Sequence, residues 1–460
     1  MTDYVIAVDN GSQSTKVSIV DAHGTVHASA RAALRPYGSP APGRWEHPDD
    51  DLWTSVVAAL RGALDRFGGD PSEIRALGLC TIRFCRAVLR ADGTLAQPIM
   101  SWMDERVSKP FVAESDDARY VTTSSGYIAH RLTGRRRDAA GSTQGLWPVD
   151  ADTWDWSRDP SAYARTGMLP EMLFELVPPG GTLGEVTQEA AELTGLPVGL
   201  PVVATSNDKA VEALGAGLRE DGEALLSLGT YVAAMTVGSG AEASEGAYWT
   251  NFGAEPGRYL YESDGVRRGM WTVSWYRDLV SGGGAISEHE LGLGAEEVPI
   301  GSGGLVVGLD WLAPSEAPER RGAIVGFDGT QGTFHVYRAI LEALAIASSE
   351  GAERTFAALG RELEELVVTG GGAVSELMLR ILAAVYDAPV RRPAATDAAG
   401  TGAAICAAVA AGIHPDFDSA VTAMVRTDLR VYPDPEWVAA YSGLRERYRS
   451  LLPRIHAIYA

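Results

Sequence analysis

Short apolar runs, each closed by a glycine turn, open the chain. Tyr4-Val5-Ile6-Ala7-Val8 leads into Asp9, and residues 16–30, KVSIVDAHGTVHASA, alternate apolar and polar on either side of a turn at Ala22-His23-Gly24. This spacing predicts strand, turn, strand, turn, strand. Within 50–67, Leu52, Val56, Leu60 and Leu64 recur at helical spacing behind Asp49, Asp50 and Asp51, carboxylates that suit a helix N-terminus. Residues 74–80, IRALGLC, predict another buried strand. The second half repeats the opening: 223–237, EALLSLGTYVAAMTV, is again an apolar strand, a Gly-Thr turn and an apolar strand. A long helix over 335–360 follows, then a strand running into three glycines (ELVVTGGG) and a helix over 375–387. Each half is therefore expected to be an α/β unit built around a sheet, the two being versions of one design. The boundary is placed at the polar turn Arg219-Glu220-Asp221-Gly222, giving domains at 1–219 and 220–460. With no low-complexity linker the halves should abut and enclose a cleft, where α/β proteins tend to bind ligands. Near the C-terminus Trp437, Tyr441, Leu444, Tyr448, Leu451 and Ile455 are spaced as one helix face packed on a core.

Composition narrows the class. A chain of 460 residues is too long for one ordinary core, and 46% apolar with 22% charged residues is globular. The net charge of -21 argues against nucleic acid or an anionic membrane surface as the main partner, so any phosphate must be held by local devices such as backbone N–H groups and helix ends. Cys80, Cys85 and Cys406 are too few for a disulfide framework and lack the histidines of a zinc site; they are expected in the core, in a reducing compartment. The N-terminus has no basic segment followed by an apolar one, and no stretch reaches 18 uninterrupted apolar residues. A cytoplasmic protein is expected.

Four stretches carry candidate chemistry. In AVDNGSQSTK (7–16) a strand ends at Asp9, and Asn10, Gly11 and Ser12 form a tight turn. Asn and Gly tolerate positive φ, so successive N–H groups can face one concavity. That suits a phosphate, with Asp9 beside a magnesium ion riding on it; the alternative is a plain hairpin turn. LSLGTY (226–231) presents the same device in the other half. Neither G-x-x-x-x-G-K-[ST] nor a G-x-G-x-x-G opening a helix occurs. In VVTGGGAVSELML (367–379) the glycines Gly370, Gly371 and Gly372 leave room for a flat group against the backbone, and Ser375 can cap the next helix; the alternative is tight strand–helix packing. In ATSNDKAVEALGAG (204–217) Asp208 should sit just before a helix starting near Ala210, kept ionised by the helix dipole. There it either takes a proton from a substrate hydroxyl or merely caps the helix.

In this order and at these distances, the stretches resemble the FGGY family of carbohydrate kinases, within the actin/hexokinase/heat-shock-70 ATPase superfamily, over nearly the whole chain. GRWEHPDDDLW (43–53), DGTLAQPIMSWMDER (92–106), LTGLPVGLPVVATSNDKAVEALGAG (193–217), YRAILEALA (337–345) and TDAAGTGAAICAAVAAG (396–412) are similar to further family segments. The resemblance implies an α/β fold of two ribonuclease H-like domains with a cleft between them. It implies phosphorylation of a small sugar or polyol by ATP with Mg²⁺. By position, Asp208 would be the catalytic base, and Asp9 and Asp208 would lie at the metal. Gly11, Ser12, Lys16, Gly229 and Thr230 would lie around the phosphates, and Gly371, Gly372 and Ser375 by the adenosine. Arg83, Phe84, Trp102, Asp104 and Asn207 would line the sugar side.

Three departures bear on the substrate. Ile82-Arg83-Phe84-Cys85 stands where many pentulose kinases carry Gln-Met-His-Gly. Arg83 resembles the Arg of an Arg-Glu pair in glycerol and autoinducer-2 kinases, with Phe84 in place of the Glu; the other reading of Arg83 is a salt bridge to its own domain. The stretch between Arg106 and SSGYIAHRLTG (124–134) is shorter than usual, implying an open pocket or a wall lent by a second subunit of a homodimer. Lys209 either favours an acidic sugar or pairs with Glu212 on its own helix. A ketose such as xylulose or ribulose, a polyol such as glycerol or erythritol, and an autoinducer-2-like diol all stay open, as does a non-catalytic sensor on the same scaffold.

Overall fold

The computed structural model describes residues 3–242, 244, 246–282, 286–314 and 317–459. The first sheet is built from β1 (Tyr4–Asn10), β2 (Ser14–Asp21), β3 (Val26–Ala33), β4 (Ile74–Thr81), β5 (Thr182–Glu185) and β6 (Pro201–Asn207), with α1 (Asp51–Leu64) on one face and α2 (Asp208–Gly215) leaving β6 directly. The second is built from β7 (Glu223–Ser227), β8 (Ala234–Gly238), β9 (Trp249–Phe252), β10 (Tyr259–Glu262), β11 (Glu365–Thr369), β12 (Val390–Pro393) and β13 (Thr427–Val431). The long α3 (Thr333–Leu359), α4 (Glu376–Tyr386), α5 (Ala398–Ala410) and C-terminal α6 (Pro435–His456) accompany it.

The strand orders are β5-β6-β4-β1-β2-β3 and β9-β10-β8-β7-β11-β12-β13. The same plan recurs in both sheets. The first strand pairs antiparallel with the next (Asp9 opposite Lys16; Leu225 opposite Met235) and parallel with a strand reached by a long crossover (Asp9 beside Cys80; Ser227 beside Thr369). Every residue of β1 is buried, because the sheet is covered on both faces. This is why its sequence reads as a continuous apolar run.

One face of the first sheet packs on α1 through Leu52, Val56 and Leu60; one face of the second packs on α3, α4 and α6. The other two faces share a single core: Val5, Ala7 and Val203 from one sheet and Leu225, Met235 and Val367 from the other enclose α2 and α5. These helices are rich in Ala and Gly because they cross at backbone contact. A Cβ on Gly215 would run into the Ala398 carbonyl, one on Gly402 into the Val211 carbonyl, and one on Gly78 into the Ala403 carbonyl. The small residues after Asp208 are thus a packing requirement of the seam between the lobes.

The C-terminal helix buries Tyr441, Leu444, Tyr448 and Ile455 on the face its spacing predicts. The three cysteines are buried and unpaired. No helix among the described residues is long and apolar enough to cross a membrane.

Candidate active site

Asp9 is the penultimate residue of β1 and is buried. Lys16 Nζ lies 3.5 Å from Asp9 Oδ2 and 3.5 Å from Asp397 Oδ1, so one lysine joins the two lobes. Burial first, then the charge of Asp397, push the Asp9 carboxyl up to about 7 against the opposing pull of Lys16. The following turn is closed by Gly11 N–H donating to Ser14 O (3.1 Å) and anchored by Asn10 Nδ2 donating to Thr15 Oγ1 (2.6 Å). Contrary to the sequence reading, neither Asn10 nor Gly11 adopts positive φ. This hydrogen bond closes the turn with ordinary backbone angles.

The second loop is stapled to the helix Gly269–Ser281. Gly269 N–H donates to Thr230 O (2.7 Å) and Met270 N–H to Gly229 O (3.0 Å). Ser12 from one lobe and Gly229 and Thr230 from the other face a common cavity of about 550 Å³, together with Arg83, Phe84, Trp102 and Asp208. Beside it, the parallel pairing of β7 with β11 sets the 228–230 loop against the glycine stretch. Gly370 (φ 84°) leans on the Leu228 backbone, and Gly372 has no room for a Cβ against Met270. Only Gly371 has open space at its Cβ position, so packing demands two of these glycines and leaves the third accessible. Ser375 caps α4, its Oγ accepting from Met378 N–H at 3.3 Å. None of these lines the 550 Å³ cavity.

Asp208 is the first residue of α2, and the cap is Asn207, whose Oδ1 accepts from Ala210 N–H (3.1 Å). The helix thus starts two residues earlier than expected, and the Asp208 carboxylate is spared from capping. Its Oδ1 has no hydrogen-bond partner, and the nearest cation is Arg83 Nε at 3.8 Å. Burial raises its pKa, with Arg83 and Lys209 opposing. Burial thus outweighs the dipole effect expected from sequence. A carboxylate held above its ordinary range is a better proton acceptor for a hydroxyl.

Lys209 also lines the cavity but is paired, its Nζ meeting Glu212 Oε2 (2.8 Å) and Ser227 Oγ (3.0 Å). Arg83 bridges both ways: besides the 3.8 Å pair with Asp208 of its own domain, it makes a shorter one to the other lobe. Its Nη1 and Nη2 donate to Glu262 Oε2 (2.8 Å) and Oε1 (3.1 Å) on β10, across the lobe seam. Its guanidinium also lies 4.9 Å from the Trp249 ring and 5.3 Å from the Phe84 ring.

Two expected substrate contacts lie elsewhere. Asp104 is buried and its oxygens are taken: Oδ2 accepts from Trp45 N–H (2.8 Å) and Arg106 Nη2 (2.7 Å), and Oδ1 from Arg106 N–H and Nε (2.9 Å each). It holds the loop that presents the half-exposed Trp102 rather than lining the cavity. Asn207 is fully buried, and its Nδ2 donates to Phe252 O (3.0 Å) in the opposite lobe. It pins the lobes together next to Asp208. Conversely, sequence reasoning passed over Asp397, Glu262, Trp249 and Tyr231. Asp397 carries one legible signal, since it precedes an Ala/Gly helix that it caps through Gly400 N–H. The other three lie in strands or turns with no local mark.

Residues 4–114 match the N-terminal domain of the FGGY family of carbohydrate kinases, and residues 224–411 match its C-terminal domain. The chain belongs to the FGGY family of carbohydrate kinases. It is an ATP-dependent carbohydrate kinase with the two-domain, actin-like ATPase fold of that family. A protein described as an uncharacterized sugar kinase, YgcE of Escherichia coli K12, is 41% identical over 92% of this chain and 88% of its own length. Gluconate kinase of Lactobacillus acidophilus superposes with a TM-score of 0.88 at 18% identity, covering 100% of this chain and 99% of that one. Xylulose kinase of the same organism superposes with a TM-score of 0.87 at 18% identity, covering 99% of each chain. These two likenesses concern the fold.

Proposed function

We propose that this kinase transfers the γ-phosphoryl group of ATP to a hydroxyl of a small neutral ketose or polyol, with Asp208 as general base. The observation that carries the reading is the position of Asp208. It stands at the end of β6 in a cavity shared with Ser12, Gly229 and Thr230 of the two phosphate-type loops, with one oxygen unpartnered and its pKa raised. An acceptor hydroxyl seated there would give its proton to Asp208 as its oxygen attacks the γ-phosphorus and the bond to the β-phosphate oxygen breaks. The turns carrying Ser12 and Thr230 would meet the phosphate oxygens without a basic cluster, the Gly11 and Gly229 N–H groups being spent on Ser14 O and Ser227 O.

Among the described residues no three His, Cys, Asp or Glu side chains converge as a complete metal site. Asp9 nonetheless fits a cation, being a buried carboxyl crowded by the charges of Asp397 and Asp208. Asp9, with Asp208 nearby, would hold Mg²⁺ when it rides on the triphosphate, where it would neutralise charge on the phosphate oxygens.

A neutral acceptor is favoured by the pairing of Arg83 and Lys209, which line the cleft cavity together with Arg267. Arg83 has both prongs on Glu262, and Lys209 is held by Glu212. At either of these two cations, a carboxylate substrate would have to displace a buried carboxylate to be recognised. The likeness to both a gluconate and a xylulose kinase leaves acid and neutral sugars open on fold alone, and this charge balance favours the neutral class.

A coupled ADP-release assay over ketoses, polyols and aldonates tests this. Turnover is expected with neutral acceptors; a preference for aldonates would overturn the neutral reading. Asp208→Ala is expected to lower kcat by about 10²- to 10⁴-fold with little change in ATP affinity measured by calorimetry. Near wild-type turnover in that variant would remove the base.

A further inference from the structure

Behind Phe84 lies a second cavity of about 820 Å³, also at the lobe seam and lined by Gln144, Trp249 and Asn251. Phe84 belongs to both cavities and is the element between them. Its backbone is at φ 63°, a left-handed conformation that bulky residues seldom take and that tends to occur at ligand sites. The ring is stacked on Trp249 of the other lobe (centroids 6.0 Å apart, planes at 30°) and backed by Gly145, where a Cβ would press on it at 3.3 Å.

Thr143, Thr250 and Tyr259 of this cavity bond to backbone carbonyls, but two neutral amides in its lining do not have all their groups satisfied. Gln144 is 6% exposed, and neither its amide oxygen nor its amide nitrogen has a partner. Asn251 is 1% exposed; its Nδ2 lies 3.4 Å from Glu262 Oε2, and its Oδ1 has no partner. Buried amide atoms without partners are unfavourable and scarce in native proteins, so three on two side chains lining one cavity mark a place where something else completes them. An aromatic face beside neutral donors and acceptors matches a hydroxylated carbon chain, whose C–H groups lie on the ring while its hydroxyls meet the amides.

We infer that the cavity behind Phe84 is a subsite for the neutral polyhydroxylated end of the acceptor, remote from the hydroxyl that is phosphorylated, with Gln144 and Asn251 as its hydrogen-bonding groups and Trp249 as its platform. The inference rests on the reading of the cleft as the acceptor site. Arg83 lines the cleft cavity, stacks on Trp249 of the second cavity and shares Glu262 with Asn251. Occupation of the subsite therefore touches the same side chains that face Asp208. Acceptor length is the property that Phe84 and Gln144 would set.

The test measures KM for a series of unbranched polyols and ketoses from three to seven carbons, by ADP release, in the wild-type protein, Gln144→Leu and Phe84→Gly. Gln144→Leu keeps the volume and removes an unsatisfied amide, so its denaturation midpoint should not fall. The ratio of KM for the longest to the shortest acceptor turned over should rise about tenfold or more, the worth of a hydrogen bond to a buried group. Phe84→Gly keeps the backbone relaxed at positive φ and should shift the preference toward longer acceptors. Turnover with the ratio unchanged in both variants overturns the inference and leaves the kinase reading intact. No turnover of any acceptor overturns the reading of the cleft, and the subsite with it.

Discussion

At the scale of single residues, the cleft is governed by a few buried charges and their partners. Glu262 is 1% exposed and its compensating cation is Arg83. Arg83→Met leaves that carboxylate buried without its partner and should destabilise the protein by about 3–5 kcal/mol in chemical denaturation. The double variant Arg83→Met/Glu262→Gln should recover much of this without recovering activity. Equal stability of the single and double variants would show that the pair is not coupled.

Asp9 gives a pH signature. Its carboxyl sits near 7 in the folded chain against 3.8 when unperturbed. Between about pH 4 and 7 the folded state therefore keeps a proton that the unfolded state releases, and this contribution to stability declines as pH rises, with the loss complete above pH 7. Asp9→Asn should raise the melting temperature relative to wild type at pH 8 and leave the two alike at pH 4. An identical difference at both pH values contradicts the shift.

At the scale of elements, the helices that cross at the seam set the tolerance of the fold. Gly402→Ala and Gly215→Ala place a methyl group against backbone carbonyls, which cannot rotate away as a side chain could. Each should cost about 1–3 kcal/mol or prevent folding. Gly443→Ala, in α6 with nothing near its Cβ position, should instead stabilise by up to about 1 kcal/mol. Denaturation of the three variants reads the contrast directly. Sequence made most of these elements legible. The apolar runs of β1, β7 and β11, the periodic faces of α1 and α6, and the Gly-Thr turn at 229–230 all stand where spacing put them. The start of α2 was misplaced by two residues because Asn207 and Asp208 are both good caps, and only the hydrogen bond to Ala210 distinguishes them.

At the scale of the whole molecule, the two sheets share one core. Residues of β1, β6, β7, β11, α2 and α5 form a single apolar cluster, and Asn207 and Arg83 add polar ties from lobe to lobe. Heating should therefore produce one cooperative calorimetric transition, with calorimetric and van't Hoff enthalpies equal. Two resolved transitions would show that the lobes unfold independently. An ATP analogue and an acceptor at 100 times their Kd should each raise stability by about 2.7 kcal/mol.

The candidate site was legible to the same degree as the elements that carry it. Asp9, Ser12, Gly229, Thr230 and Asp208 end strands or fill turns whose pattern is local, so the chain announced them. Asp104 and Asn207 were recognised as polar residues of the right segments, yet packing turned both inward, onto Arg106 and onto the Phe252 carbonyl. Sequence by itself determined the strands, the helices, the repeated sheet design and the chemistry of the loop residues, because these depend on neighbours a few positions away. Tertiary structure alone decided that Lys16 meets Asp397, that Arg83 meets Glu262 and that Phe84 stacks on Trp249. Those partners are more than 160 residues apart, and no periodicity records a pairing that arises only when two sheets close on a common core.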